Sequence, residues 1–386
     1  MTETCDFLVI GAGMAGASAA YDLSRHGKVV ILERESQPGY HTTGRSAALF
    51  VETYGNAVIR GINRASRPFL EEPPKGFADA PILTPRGTMF VATEETMGAL
   101  RSEYDEVSQL TTSVRLLDAE ETHALHPALN RDLIVAGLYS PEDKDIDVAA
   151  LHWGYLRGAR ARGASLVGDA ELLSLEKQGA TWRATTREGA FSAPIVINAA
   201  GAWADEIGAM AGAKPIGLVP KRRTAFTFDA PPELDLPRLP GVIAADESWY
   251  MKPEAGHMLG SPADETPSAP CDAQPEELDL AIAIDRIETH ATVTVGRLVS
   301  KRAGLRSFVV DKTPVVGFES GLDGFCWCAG QGGYGIQTAP GMGLATAALA
   351  TGAAFPDTLL AQGVSADDLS PDRPALADAT RFKPAD

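Results

Sequence analysis

A glycine-rich turn between two short apolar stretches most constrains how this chain can fold. Residues 9–23, VIGAGMAGASAAYDL, place Gly11, Gly13 and Gly16 at G-x-G-x-x-G spacing. The apolar run before the turn predicts a buried strand, and the residues after it predict a helix that starts near Met14. In such a unit the first glycine permits the tight turn and the second lets a pyrophosphate approach the backbone. The third lets the helix pack closely on the strand.

An acidic residue stands where a nucleotide site needs one. Residues 28–35, KVVILERE, predict a second strand that ends at Glu33. An acid about 20 residues beyond the glycine turn binds ribose hydroxyls in dinucleotide sites. The helix N-terminus offers free N–H groups and a positive dipole end to a phosphate. A glycine-rich loop alone is weak evidence, but strand, turn, helix, second strand and acid in order predict nucleotide binding.

Two further small-residue turns favour a long cofactor. Residues 193–212 (APIVINAAGAWADEIGAMAG) and 324–350 (GFCWCAGQGGYGIQTAPGMGLATAALA) each predict a strand that enters such a turn and then a helix. An NAD-dependent dehydrogenase usually continues with more βα units. This chain continues instead with YHTTGRSAALF at 40–50, which is small and hydroxyl-bearing. Three turns spread over the chain suit a cofactor that lies along it.

Composition excludes several other classes of protein. Asp and Glu total 51 against 34 Lys and Arg, which argues against nucleic-acid binding. No apolar run reaches the ~18 residues of a membrane span, and residues 1–4 lack a basic signal-peptide start, so we expect a cytoplasmic protein without an integral membrane segment. The CWC stretch at 326–328 has neither disulfide nor zinc-site spacing. His123 and His126 are predicted to lie on a solvated helix that Pro127 ends, so no metal site is expected.

Matching stretches along almost the whole chain resemble one family of flavoproteins. They include VIGAGMAGAS, LERE, PGYHTTGRSAA, ALHWGYLRGAR, NAAGAW, PKRRTAF, DESWYMKP, AGLRSFV and QGGYGIQTAPGMG. In this order they resemble the D-amino-acid oxidase family of FAD proteins, which includes glycine and sarcosine oxidases. Within the family, the likeness is greatest to the bacterial FAD-dependent D-arginine dehydrogenases. The resemblance implies a flavin that stays bound.

The resemblance also implies an interleaved α/β architecture. A Rossmann-like FAD-binding domain is expected from segments 1–80, 145–210 and 303–368. An α+β substrate domain with an antiparallel sheet is expected from 81–144 and 211–302. Residues 369–386 are predicted to form a loosely held tail.

The cofactor-binding residues that the motifs and the resemblance imply lie in four groups. They are Gly11, Gly13, Met14, Ala15 and Gly16 of the first turn; Glu33 and Arg34; Thr43, Gly44, Arg45 and Ser46; and Ala200, Gly201, Gly332, Gly333, Tyr334, Gly335, Ile336 and Gln337 of the later turns. The FAD is expected to be non-covalent, because no cysteine lies near KRAGLRSF, where sarcosine-oxidase relatives attach it.

Arg306 is the main candidate for binding the substrate. A guanidinium between apolar residues is unusual, and it suits either a structural ion pair or a bidentate carboxylate contact. The resemblance places the substrate carboxylate on Arg306, a hydroxyl contact on Tyr250, a mobile loop at Tyr54 and a second carboxylate or product contact on Arg223. Gly333 would let a backbone carbonyl meet the substrate amine, while Arg222, on the opposite strand face, is expected to be a surface charge. No general base is assigned.

The expected side-chain pocket differs from that of the D-arginine enzymes. Thr88 replaces their glutamate, Leu49 a histidine and Gly241 a methionine, and Ile243 is placed in the same pocket. An unpaired buried guanidinium costs several kcal/mol, so neutral D-amino acids are predicted to be preferred over D-arginine. Glu52, on the same loop as Tyr54, is the one nearby acid that could replace the glutamate missing at Thr88.

The sequence thus predicts an FAD-dependent D-amino-acid dehydrogenase or oxidase that forms an imino acid, which water hydrolyses to a 2-oxo acid. A glycine/sarcosine-type secondary-amine oxidase is the alternative, and a tRNA-modifying flavoprotein is disfavoured by the acidic charge. The partners expected are a small D-amino acid or amine and an electron acceptor, with quinone, electron carrier and oxygen all left open.

Overall fold

A computed structural model describes residues 2–384 of the chain. It has the mixed α/β fold predicted from the sequence. The α-helices are α1 (Met14–Leu23), α2 (Ala57–Glu71), α3 (Met97–Val107), α4 (Ala119–Leu125), α5 (Val148–Ala161), α6 (Ala204–Ala211), α7 (Glu277–His290), α8 (Ala339–Thr351), α9 (Asp357–Leu360) and α10 (Ala366–Leu369). Short 3₁₀ helices cover Gly201–Trp203, Leu236–Arg238 and Pro374–Leu376.

The strands are short and are spread over the whole chain. They are β1 (Thr2–Thr4), β2 (Phe7–Ile10), β3 (Val29–Leu32), β4 (Leu49–Phe50), β5 (Leu83–Pro85), β6 (Thr88–Ala92), β7 (Arg115–Asp118), β8 (Ala136–Ser140), β9 (Lys144–Ile146), β10 (Ser165–Val167), β11 (Leu172–Gln178), β12 (Thr181–Thr186), β13 (Gly189–Ala193), β14 (Ile195–Asn198), β15 (Val219–Phe228), β16 (Gly241–Ala244), β17 (Tyr250–Glu254), β18 (His257–Ser261), β19 (Thr266–Pro267), β20 (Leu298–Phe308), β21 (Val315–Phe318) and β22 (Phe325–Ala329).

A six-stranded sheet in the order β10-β3-β2-β14-β22-β21 forms the nucleotide side of the molecule. Its strands are parallel except β21, which pairs antiparallel with β22. Apart from Asn198 at the end of β14, the middle strands are apolar, as expected for strands that are covered on both faces. Val9 and Cys326 pack into the core that contains residues of α1 and α5, whereas Leu8 and Trp327 pack into the core shared with the four-stranded sheet β1-β13-β12-β11.

The three predicted small-residue turns lie at one edge of this sheet. β2, β14 and β22 are adjacent and parallel, so their carboxyl ends meet there. Gly11 follows β2 with φ +100°, a conformation that favours glycine. A Cβ on Gly16 would lie 1.9 Å from the Gly11 carbonyl oxygen, so α1 can approach the turn only with glycine at that position.

A nine-stranded mixed sheet forms the other half of the fold. Its order is β19-β15-β18-β17-β16-β6-β8-β7, with β20 also paired to β15, and only the β16–β6 pair is parallel. Met251, Phe226 and other alternate residues pack with α7 in an apolar core on one face. The stretch ESWYMKPEAGHMLGSPA at 247–263 predicts two antiparallel strands that turn at Glu254-Ala255-Gly256. β17 and β18 form this hairpin, and Ala255 and Gly256 have φ values of 49° and 84°.

Three expectations about exposed residues are wrong. Arg222 is no surface charge, because its side chain is 13% exposed and pairs with Glu276 and Asp279. His123 and His126 are 3% and 0% exposed, so their helix is not simply solvated.

The C-terminal segment is also better held than predicted. Arg373 is buried, and its guanidinium donates to both carboxylate oxygens of Asp311 at 2.7 and 2.9 Å. Residues 385–386 of the predicted tail lie outside the described residues. The division into an FAD-binding and a substrate domain stays a prediction. Across residues 2–384, no helix combines the length and the apolar character that crossing a membrane requires.

Candidate active site

A cavity lies where the glycine-rich edge of the six-stranded sheet meets the nine-stranded sheet. Its walls come from the three turns, from the 33–47 segment and from strands β15, β17 and β20. Apolar turn residues line one part of it, and Arg223, Tyr250 and Arg306 line another. The fold thus brings together residues that are more than 300 positions apart in the chain.

The first turn offers unpaired backbone donors to this cavity. The N–H groups of Gly13 and Ala15 bond to no acceptor within residues 2–384, whereas the Met14 N–H donates to Thr43 Oγ1 at 3.0 Å. Glu33 is buried, and its carboxylate accepts the Ala12 and Glu35 N–H groups at 2.9 and 3.0 Å. Free N–H groups at a helix start beside a fixed carboxylate can bind a phosphate and ribose hydroxyls.

Most of the predicted cofactor residues line the cavity. They are Gly11, Gly13, Met14, Ala15, Glu33, Arg34, Thr43, Arg45, Ser46, Ala200, Gly201, Gly332, Gly333, Gly335 and Ile336. Gly16, Gly44, Tyr334 and Gln337 lie behind this wall. A Cβ on Gly44 would lie 2.7 Å from the Gly39 carbonyl oxygen, and Gln337 is buried with its Oε1 accepting the Val51 N–H at 2.9 Å.

Arg45 lines the cavity, but its guanidinium points elsewhere. It donates to the Ala273 and Ala303 carbonyl oxygens at 2.8 and 3.0 Å and pairs with Asp272. These bonds join the 40–46 segment to β20 and to the loop before α7. Arg45 therefore holds the cavity wall together.

Two residues at the nucleotide end were not predicted. His152 of α5 is buried, and its Nε2 lies 2.8 Å from the Ala12 carbonyl oxygen. This hydrogen bond stabilises the first turn. Burial lowers the pKa of His152 despite this bond, which favours the neutral ring. The Trp203 ring lies 4.6 Å from the Arg34 guanidinium carbon, in a cation–π contact. Both residues lie in stretches that match the flavoprotein family, and that is the only sequence signal for them.

Among residues 2–384, Arg306 is the one arginine of the cavity wall without a protein partner. It lies on β20 and is only partly exposed, and its guanidinium makes no hydrogen bond or ion pair to any residue from 2 to 384. A Cβ on Gly333 would lie 3.0 Å from Arg306 Nη1, so the guanidinium lies against the third turn. Tyr250 and Arg223 line the same part of the cavity. A desolvated guanidinium with free donors is suited to a carboxylate.

Tyr54 lies close to Arg306 but does not line the cavity. Its ring is 5.0 Å from the ring of Tyr334, and its side chain is 37% exposed. Burial, together with the neighbouring Tyr54, raises the pKa of Tyr334, so its phenol is neutral at physiological pH. It can therefore donate a hydrogen bond but is not a general base.

The four predicted pocket residues lie beside the cavity rather than in its wall. Thr88 pairs with Gly241 in the β6–β16 ladder, Ile243 pairs with Tyr250, and Leu49 pairs with Asp145. Thr88 and Gly241 are buried, and the Thr88 hydroxyl donates to the Asp143 carboxylate. Because Ile243 and Tyr250 are cross-strand partners, the β6–β16 ladder with Thr88 and Gly241 is continuous with the cavity wall.

The acid near Thr88 is Asp143, which the sequence had not suggested. Glu52, the candidate named from the sequence, pairs with Arg67 at 3.0 Å. Asp143 is 7% exposed, and burial raises the pKa of its carboxyl to about 7 even though the Thr88 hydrogen bond opposes this. The threonine thus stands beside a buried carboxyl group and does not make its surroundings apolar. Within residues 2–384, no cluster of His, Cys, Asp or Glu side chains could hold a metal ion.

A family model for FAD-dependent oxidoreductases, called DAO, matches residues 6–349. The chain belongs to this family. The cavity fits the cofactor, because N–H groups without a partner among residues 2–384, the buried acid Glu33 and close-packed glycines lie at its nucleotide end. When bound, FAD supplies the two-electron acceptor for the reaction.

Several similar proteins are named for glycine or a methylated glycine. The chain is 27% identical over 363 residues to mitochondrial dimethylglycine dehydrogenase of Rattus norvegicus, covering 88% of this chain and 42% of that enzyme. It is 24% identical over 359 residues to glycine oxidase of Geobacillus kaustophilus, covering 90% and 93% of the two chains. The crystal structure of glycine oxidase from that organism superposes with a TM-score of 0.81 at 24% identity, covering 92% and 97%.

These comparisons correct the finer part of the resemblance. The family is as predicted, but the likeness is to glycine oxidase and to the dimethylglycine and sarcosine dehydrogenases rather than to D-arginine dehydrogenases. The chain spans about two fifths of the dimethylglycine dehydrogenase that it matches. It is thus an FAD-dependent oxidoreductase of the DAO family.

Proposed function

We propose that this protein oxidises glycine or an N-methylated glycine at a carbon bound to nitrogen. This is the alternative that the sequence raised, and the relatives support it better than the D-amino-acid interpretation. Loss of a hydride to FAD gives an imine, which water hydrolyses to a carbonyl compound and an amine or ammonia. The amine must be neutral to lose the hydride, so the substrate's own pKa sets part of the pH dependence.

The observation that carries the proposal is the unpaired guanidinium of Arg306 beside Gly333. A carboxylate bound there would place a glycine-sized amine next to the third turn, where the Gly333 backbone lies free of a side chain. Tyr250, on the adjoining wall, can donate a hydrogen bond to the same carboxylate. Small substrates need little more than this, because positioning and water exclusion are the protein's main contributions.

The test is anaerobic reduction of the bound flavin by a panel of amines. The loss of the flavin's visible absorbance reports the reduction. Glycine, sarcosine and N,N-dimethylglycine are compared with D-Phe, D-Leu, D-Met and D-Arg. In turnover with an artificial electron acceptor, at least one of the first three is expected to exceed every D-amino acid by about tenfold or more in kcat/KM. Trimethylglycine is the matched control, since its quaternary nitrogen has no lone pair to support oxidation and it should not bleach the flavin.

Sarcosine methyl ester separates the carboxylate from the amine. It keeps the oxidisable nitrogen but removes the charge that Arg306 would bind, so its KM should rise sharply. Faster bleaching by a D-amino acid than by any glycine derivative would reverse the assignment in favour of the D-amino-acid interpretation.

A further inference from the structure

Two more cations flank Arg306 in the strand ladder. Lys221 of β15 lies directly opposite Arg306 of β20, and Arg223 lies opposite Gly304. Residues at such positions point to the same face of a sheet, so the three basic side chains form one group. Like charges opposite each other are unfavourable unless an anion lies between them.

Glu265 supplies that anion from within the chain. Its Oε2 accepts from Lys221 Nζ at 2.9 Å, and its Oε1 accepts from Arg223 Nη2 at 3.3 Å. Burial acts to raise the pKa of Glu265, but the bond and charge of Lys221, with Arg223 and Lys312, outweigh it and lower the pKa. The carboxylate is therefore ionised at neutral pH and bridges two cations.

The segment that carries Glu265 is fixed to the same strand. The Asp264 carbonyl oxygen accepts from Arg223 Nε at 2.8 Å, and the Asp264 carboxylate accepts from the Thr224 N–H and hydroxyl at 2.6 and 3.0 Å. The next residues, Thr266–Pro267, pair with β15. Glu265 is thus held in place from both sides, although its own side chain is 39% exposed.

We propose that Glu265 determines specificity by occupying, as an internal carboxylate, the anion subsite that Lys221 and Arg223 would otherwise offer beside Arg306. The proposal rests on the proposed function, in which Arg306 binds the single carboxylate of a glycine derivative. With Glu265 in place, Arg223 has a carboxylate partner, and Arg306 is the guanidinium of this group that remains without a partner among residues 2–384. A substrate with a second carboxylate meets a filled subsite and the repulsion of Glu265, so amines with one carboxylate are selected.

Glu265→Gln is the variant that opens the subsite, and Glu277→Gln is its matched control. Glu277 of α7 also accepts from a lysine, Lys301 at 2.6 Å, so both variants remove one acid from a lysine partner. Only Glu265 belongs to the group around Arg306. FAD content and Tm are measured first for both variants.

Two unreactive thioethers test binding independently of catalysis. Methylthioacetate, the analogue of sarcosine with sulfur in place of the nitrogen, has one carboxylate. Thiodiacetate, the corresponding analogue of iminodiacetate, has two, and neither compound has a nitrogen to oxidise. Their Kd values are measured on the FAD-loaded protein from the change in flavin absorbance. In Glu265→Gln the Kd of thiodiacetate is expected to fall about tenfold or more relative to Glu277→Gln, with the Kd of methylthioacetate changed by less than about threefold.

A double variant then assigns the subsite. Adding Lys221→Met to Glu265→Gln removes the cation opposite Arg306, and most of the gain for thiodiacetate should disappear. In turnover, kcat/KM for iminodiacetate relative to sarcosine should rise in Glu265→Gln through a lower KM, because iminodiacetate is sarcosine with one added carboxylate.

Equal changes for the two thioethers would show a general charge effect and overturn the proposal, as would no change for thiodiacetate. If no glycine derivative reduces the flavin, the proposed function fails on its own, because the thioether pair still decides the role of Glu265.

Discussion

The buried carboxyl of Asp143 should make the protein less stable as the pH rises through neutrality. Its pKa is raised from 3.8 to about 7, first by burial and further by the nearby acids Glu142 and Glu52. In the unfolded chain the Asp143 carboxyl ionises near pH 4, whereas in the folded protein it stays protonated up to about pH 7. Folding therefore favours the protonated carboxyl. That stabilisation is complete below pH 4 and is lost as the pH rises to about 7.

The size of the effect follows from the shift. One pKa unit corresponds to about 1.4 kcal/mol, so the folded state loses about 3 kcal/mol relative to the unfolded state between pH 5 and pH 8. Asp143→Asn keeps the shape and the acceptor for the Thr88 hydroxyl but cannot ionise. The variant should therefore gain about 3 kcal/mol on the wild type over this pH range.

The assay is the Tm of the FAD-loaded protein at pH 5 and pH 8. For a chain of this size we expect the Tm advantage of Asp143→Asn to grow by about 3–6 °C between the two values. Asp79→Asn, at an exposed position, is the control and should show no such growth. An advantage that is the same at both pH values would refute the assignment of a neutral, buried Asp143.

Three other outcomes are expected. Arg306→Met should lower kcat/KM by about 10²–10³-fold with FAD retained, and a variant that keeps its activity per bound flavin would return Arg306 to a structural role. Acid or heat should release the yellow colour into the supernatant, whereas colour that stays with the precipitate would show covalent attachment. Gly16→Ala should lose FAD and stability, because the new Cβ would lie 1.9 Å from the Gly11 carbonyl oxygen, while Gly98→Ala in α3 meets no atom within 4 Å and serves as control.

Local rules predicted the fold of the nucleotide side well. The spacing of Gly11, Gly13 and Gly16 and the acid at Glu33 depend on a single βαβ unit, so a short stretch carries the whole signal. The β17–β18 hairpin could be predicted equally well from the sequence, because its turn and its alternating pattern lie within about a dozen residues. Each of these predictions needs no knowledge of distant parts of the chain.

Buried polar residues were the main source of error. Arg222 resembles a surface charge until α7 brings Asp279 to it, and Arg373 resembles a tail residue until it meets Asp311. The contact between Thr88 and Asp143 joins residues 55 positions apart. Whether a charged side chain is buried depends on a partner that only the tertiary fold supplies.

The nine-stranded sheet separates stability from specificity by strand alternation. Met251 points into the apolar core, while its neighbours Tyr250 and Lys252 lie on the opposite face, which Tyr250 shares with the cavity. A shift of one residue in register would exchange these two sets, so the turn at 255–256 fixes which face of the hairpin lines the cavity. The same logic places Lys221 opposite Arg306 on the face that carries Glu265's partners. Substitutions at inward positions of these strands should change Tm with little effect on substrate preference, and those on the cavity face should do the reverse.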